Sequence, residues 1–288
     1  MEQNINQPNP LMAFMRQPKI YIRLPSNGQY WKKDALIISE TGEYPVYSMT
    51  AKDELMLKIP DALMNGQAVV DVIQNCMPNI KNAWEIPNLD IDAILIAIRL
   101  ATYGEKMSMP VKFGDTLELE YDLDLHKLLD SVMTQVTWDP IVPINSEMTI
   151  FVKPLTYKSS NESALGTFET QKILQIVNSD GIDEQQKLSM FQDSFKKLTG
   201  ITLGFVTNSI YQIDTSSGST TDVKFIEEYI ANCDKEVFNK VFQHLEKLRE
   251  QNSVKPLVVD VTDEMKEAGI TGETIEIPVT FDAASFFD

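Results

Sequence analysis

Cysteine and histidine are nearly missing from this chain, with two of each in 288 residues. Cys76 and Cys233 lie far apart, each in an apolar pattern. That excludes a disulfide framework and a zinc site built on clustered thiolates. His126 and His244 fall on separate expected helices, outside any nucleophile–base motif, and read as surface or boundary residues. There is no G-x-S-x-G, no Walker-type glycine loop and no G-x-G-x-x-G. GITLGF (200–205) has two glycines but neither a preceding strand nor a following lysine, so it reads as a helix junction. Long apolar runs are lacking too. The most apolar, ILIAIRLA (94–101), is far shorter than the ~20 residues a membrane span needs, and it contains Arg99. The expectation is a non-enzymatic protein with no catalytic residue, no cofactor, no metal and no membrane association.

Positive charge is also scarce. Twenty-five Lys and Arg face 42 Asp and Glu, for a net charge of −17. Nucleic-acid binders need Lys and Arg against phosphates, so that class is disfavoured, as is docking to anionic lipid. An acidic surface suits solubility, or a basic protein partner reached by electrostatic steering. Hydrophobic content of 43% is that of an ordinary globular chain. The opening MEQNINQPNPLMAF has no cationic stretch before an apolar core, so a soluble protein made in a cytoplasm is expected.

What is present is a β unit leading into helices. Residues 1–18 read as a loose arm with prolines at 8, 10 and 18. KIYIRL (19–24) alternates as a strand, Pro25–Gly28 turns, and QYW, ALIIS and EYPVYSM (43–49) continue a small antiparallel sheet. Thr50 is an N-cap, with Asp53 and Glu54 in the first turn. Pro60 kinks or ends that helix and Asn65-Gly66 stops it. A second helix covers about 67–77. A third covers about 90–103, with Asp90 as its N-cap and Gly104 at its end, and it is apolar nearly all round. Next come a hairpin turning at Gly114-Asp115, a helix from about Leu125 and a strand at 144–152. From Thr156 to Glu250 the pattern is helical. Leu188, Phe191, Phe195 and Leu198 form one face, and Ile226 to Leu248 a long helix or a broken pair. DTSSGSTTD (214–222) reads as a flexible loop between them.

The fold class is therefore α+β: a small N-terminal antiparallel sheet, a largely helical body, and a second short β element near the C-terminus. The expected units are an arm (1–18), a β plus three-helix domain with a hairpin (19–135), and a mainly helical domain closing with a C-terminal hairpin (136–288). GDTLELEYDLD (114–124) and GETIEIPVTFD (272–282) align without a gap and suggest one β element used twice, with Asp124 and Asp282 each capping the next turn. The carboxylates Asp90, Asp92, Glu118, Glu120, Asp122 and Asp124 are read as a helix cap and a solvated strand face rather than as metal ligands. The aromatics Tyr21, Tyr30, Trp31, Tyr44 and Tyr47 are core or a protein-contact patch.

RQPKIYIRLPS, MTAKDEL, PDALMNGQA and DAILIAIRLATYGE stand one after another between residues 16 and 105. In that order they resemble the baseplate hub and hub-assembly proteins of T-even-like contractile-tailed bacteriophages. The closing TFDAASFFD is similar more weakly. The resemblance implies a structural subunit or assembly factor of the baseplate hub, made in the host bacterial cytoplasm and destined for the virion tail. The alternative is a transient tail-assembly chaperone, absent from the mature virion. The partners implied are other hub or tail proteins, with the tape measure protein a further candidate. Many relatives carry a Cys-x-x-Cys pair in the hairpin after the third helix; residues 104–124 here contain no cysteine, so no zinc role carries over. Leu11, Met12, Phe14 and Met15 of the arm, Tyr30 and Trp31 of the sheet, and Phe286 and Phe287 at the C-terminus are the candidate partner-binding residues.

Overall fold

KIYIRL and EYPVYSM meet as a two-stranded antiparallel ladder in the computed structural model, which describes residues 11, 14–113, 117–134, 137–177, 183–267, 270–277 and 279. Strand β1 (Ile20–Ile22) pairs with β2 (Tyr44–Val46), Ile20 opposite Val46. Ile22, Tyr44 and Val46 point into the core while Tyr21 is exposed, as the alternation requires. QYW and ALIIS do not extend this sheet. Positive φ at Asn27, Gly28, Tyr30 and Asp34 turns the chain repeatedly. Leu36 makes one isolated bridge to Ile80, and the Ile37 N–H donates to the Asn79 carbonyl at 2.8 Å.

Helix α1 (Ala51–Leu57) starts at Thr50 in a full capping box with Asp53. Pro60 opens α2 (Pro60–Met64), where its missing N–H costs nothing. Gly66, with φ of 79°, leads into α3 (Gln67–Cys76). Helix α4 (Asn88–Tyr103) begins earlier than expected, behind Pro87, and ends at Gly104. Asp90 is therefore not its cap. The buried Asp90 carboxylate accepts from the Ser26 N–H at 2.7 Å, the Ser26 hydroxyl at 2.6 Å and the Trp31 indole at 2.7 Å. Burial pushes its pKa up to about 6, against those three hydrogen bonds. Strands β3 (Lys106–Phe113) and β4 (Leu117–Asp124) pair over eight positions from Lys106↔Asp124 to Phe113↔Leu117; Gly114 and Asp115 lie outside the described residues. Asp124 then caps α5 (Leu125–Thr134) by accepting from the N–H groups of His126 and Lys127.

The second half is built on a four-stranded antiparallel sheet in sequential order: β5 (Ile141–Pro143), β6 (Met148–Val152), β7 (Ile210–Thr215) and β8 (Gly218–Thr220). Between β6 and β7 the chain leaves as a helical hairpin, α6 (Tyr157–Val177) and α7 (Glu184–Ser209). Three readings are corrected here. The 156–250 segment is not helical throughout. GITLGF is not a junction but lies inside α7, where close packing holds the helix: a Cβ on Gly166 of α6 would sit 3.0 Å from Ile201 Cδ1. DTSSGST is not a loop but the β7–β8 hairpin, tightened by the Thr215 hydroxyl donating to the Gly218 carbonyl at 2.9 Å. Of the long helix or broken pair expected from Ile226 to Leu248, the structure shows the pair, α8 (Val223–Asn232) and α9 (Lys235–Asn252). Strand β9 (Leu257–Asp260), helix α10 (Asp263–Glu267) and strand β10 (Thr274–Ile277) close the description, β9 and β10 pairing antiparallel. The two similar segments thus share an antiparallel strand but not its setting. The second pairs across an intervening helix rather than a tight turn, and Asp282 lies outside the described residues.

Two hydrophobic cores result. The first surrounds α4 with residues of β1, β2, α3, β3, β4 and α5, and includes Ile73, Ile94, Ile98 and Leu125. The second packs Val142, Ile150 and Ile213 of the sheet against Val206, Ile230 and Leu245 of α7, α8 and α9. Val254, Leu257 and Val279 pack on the first core, so the chain returns to its N-terminal half after α9.

Gly66 gives a direct test of how these parts join. A Cβ there would lie 3.0 Å from the Asn161 side chain, whose amide donates to the Asn65 carbonyl at 2.8 Å. Gly66→Ala is expected to cost about 1–2 kcal/mol from the positive φ and that contact together. Gly42→Ala, at φ of 74° with nothing within 4 Å, should cost less. Urea denaturation of the two variants checks the order; equal losses would remove the Asn161 contact from the account.

Candidate functional site

The sequence candidates separate into exposed and engaged groups. Phe14 is 85% exposed and Met15 and Leu11 are also exposed. Met12, Phe286 and Phe287 lie outside the described residues. The arm is attached sooner than its expected boundary at residue 18. The Arg16 guanidinium donates to the Ser48 carbonyl and, at 2.7 and 2.8 Å, to the carbonyl and side-chain oxygens of Asn75, and it lies 5.5 Å from the centre of the Tyr47 ring. The Asn75 amide in turn donates to the buried Asp53 carboxylate. Trp31 is spoken for by Asp90, and its ring packs on the first core. Tyr30 leans on Trp138, ring centres 6.3 Å apart, so it joins the two halves of the chain.

Sequence reasoning missed a second apolar surface. The spacing of Leu188 and Phe195 fits one helix face, of the kind that a core usually covers. They are 58% and 61% exposed on α7, and Phe168 of α6 is also exposed. The hairpin that carries them is held internally by Glu169–Lys197 at 2.6 Å and by close approach of the helices at Gly166, where an added Cβ would meet Ile201 at 3.0 Å. At 1.5 Å per residue α6 and α7 are about 31 and 39 Å long.

A concavity lies where the two cores face each other. It has a volume of about 410 Å³ and is walled by α3, α4, α6, α7 and α9. Leu95, Leu155, Leu245 and Leu248 supply apolar wall, and Trp138, Tyr157 and Phe205 supply aromatic wall. Its polar groups are mostly satisfied. Asn88 donates to Ser160 at 2.5 Å, Asn252 bonds the Thr137 backbone, and Arg249 bonds Glu246 at 3.0 Å. Asp92 has no hydrogen bond or ion pair among the described residues. Burial alone pushes its carboxyl up to about 6. The signal for Asp92 was in the sequence: a lone carboxylate between Ile91 and Ala93, with Leu95 and Ile96, not a cation, at the next helical turn. Its isolation needed the tertiary structure.

Among the described residues no three His, Cys, Asp or Glu side chains converge on a metal-sized site. No helix among them is long and apolar enough to cross a membrane. His126 faces Glu105 at 3.8 Å and His244 meets the Asp139 carbonyl, both at the surface. Large apolar side chains are exposed on both the arm and the α6–α7 hairpin of this acidic chain. A family model described as T4 bacteriophage base plate protein matches residues 15–262. The chain belongs to that family. No curated protein and no solved structure matches it. The match spans both cores, so the whole two-part architecture, not the N-terminal half alone, is that of a baseplate protein. A baseplate protein works in the virion tail, in contact with other baseplate proteins.

Asp92 gives this baseplate protein a pH signature. Its carboxyl titrates near 3.8 in an unfolded chain and near 6 in the fold. Between those values the folded state holds the extra proton, so stability falls as pH rises through 6 and is fully kept below about 4. Asn at this position stays neutral throughout. Asp92→Asn is therefore expected to be more stable by about 1–3 kcal/mol at pH 7.5 and to match the natural chain near pH 4. A stability gap independent of pH would sink this account.

Proposed function

We propose that the chain is a non-enzymatic component of the baseplate hub, a structural subunit or assembly factor that binds other hub or tail proteins. The observation that carries the proposal is the exposure of large apolar side chains at two places on an acidic baseplate protein: Phe14 and Met15 beside the Arg16 anchor, and Phe168, Leu188 and Phe195 on the α6–α7 hairpin. Apolar side chains exposed together on a rigid element mark protein-binding surfaces. A hairpin fixed by its own packing presents them with little ordering cost on binding. The protein is made in the host bacterial cytoplasm and carried into the tail baseplate.

Leu188→Ala with Phe195→Ala removes two such side chains from positions that support no core. Hub or baseplate assembly with this variant should weaken by roughly 1–3 kcal/mol in binding, with thermal stability nearly unchanged. Phe14→Ala tests the arm in the same way. Unaffected assembly in all these variants would remove both surfaces. Mass spectrometry of purified virions decides the role: a fixed copy number marks a subunit, whereas presence in infected cells and absence from particles marks an assembly factor or tail-assembly chaperone.

A further inference from the structure

The cavity between the cores combines features that point to one kind of occupant. Asp92 is a carboxylate turned to a 410 Å³ space without a hydrogen bond or counter-ion among the described residues. Asp92 is half-buried, so a cation entering this space would meet a carboxylate with no competing partner among the described residues. Trp138, Tyr157 and Phe205 line the same space and supply apolar cover for an alkyl stem. Arg249, which lines the same space, is exposed and occupied by Glu246. The net charge of −17 draws basic partners toward the chain.

We propose that this cavity receives a basic side chain, arginine or lysine, from a segment of another baseplate protein, with Asp92 as its ion-pair partner. The inference rests on the baseplate-hub reading above. It differs from the apolar contacts proposed for the arm and hairpin. Here one charged anchor enters the seam between the cores and ties their relative position to assembly.

The test uses the full chain and the capped peptide acetyl-Ala-Arg-Ala-amide, with binding read by NMR of the three tryptophan indole N–H signals. Trp138 is assigned through Trp138→Phe. The peptide should shift the Trp138 signal saturably, and its citrulline counterpart should bind about tenfold more weakly or worse. Asp92→Asn, which is expected to fold at least as well, should lower affinity for the arginine peptide by about tenfold or more. Equal affinity in the Asn variant, a response confined to Trp31 and Trp84, or tighter binding of putrescine than of the peptide would each overturn the proposal. A photo-crosslinking residue at position 249 gives the second arm, in infected cells. Crosslinks to an Arg- or Lys-bearing segment of a baseplate protein, lost in Asp92→Asn, support it. Crosslinks to baseplate proteins that ignore Asp92 overturn the cavity proposal and leave the baseplate-hub reading standing. Crosslinks to no baseplate protein, with the chain absent from hub intermediates, overturn both.

Discussion

Helix α4 is apolar on nearly every side, and the rest of the first half exists to cover it. Eleven of its sixteen residues are buried, Ile94, Ile96 and Ile98 completely. One neighbour cannot cover such a helix, because each packing partner shields only one stripe. Strands β1 and β2, helices α3 and α5 and the start of α6 share the work. At about 25 cal/mol per Å² of apolar surface removed from water, this burial is the main stabilising contribution in that half of the chain. The Asp90 network completes it by fastening the 25–31 loop over the helix N-terminus with three hydrogen bonds, one of them from the Trp31 indole.

The second half answers a different constraint. Strands β6 and β7 are sheet neighbours although a long helical hairpin separates them in sequence. The sheet closes because Val152 and Ile210 meet at the hairpin's base, and the two helices are free to extend from there. Their packing on each other rests on small residues: Gly166 lets Ile201 approach, and Thr170 satisfies its hydroxyl on the Gly166 carbonyl. A helix pair stabilised this way has no need of further cover. Exposed Leu188 and Phe195 then cost the monomer little and remain available to a partner.

The seam between the halves is held by a few contacts of mixed character. Tyr30 leans on Trp138, the Tyr157 N–H donates to the Ile86 carbonyl at 2.7 Å, and the Asn88 N–H donates to the Leu155 carbonyl at 2.8 Å. Hydrogen bonds of this kind fix orientation more than they add stability, since each replaces a bond to water. The cavity lies beside them. A protein that must fit among others in a large assembly gains from such a seam, where an arriving group can act on both cores at once.

Elements encoded over a few residues are legible in the chain. The Thr50 cap, the stop at Gly104, the Asp124 cap and the strand pair around 106–124 all depend on residues within a few positions of one another. Tertiary structure decided whatever depended on distant partners. ALIIS has strand composition, but turns with positive φ and the 79–80 segment claim its backbone. DTSSG looks like a loop until β7 finds β6 beside it. GITLGF stays helical because α6 packs closely against α7. Trp31 reads as core or contact surface from the sequence, and nothing local reveals that Asp90, 59 positions away, takes its indole N–H. The periodicity of Leu188 and Phe195 was legible, but not whether a core would meet that face. Asp92 was visible as a charge in an apolar helix, while its lack of a partner among the described residues is a property of the space around it. Local hydrogen bonding and spacing are written in short stretches of chain; which surfaces meet, and which are left facing solvent or a cavity, is set by contacts far apart in sequence.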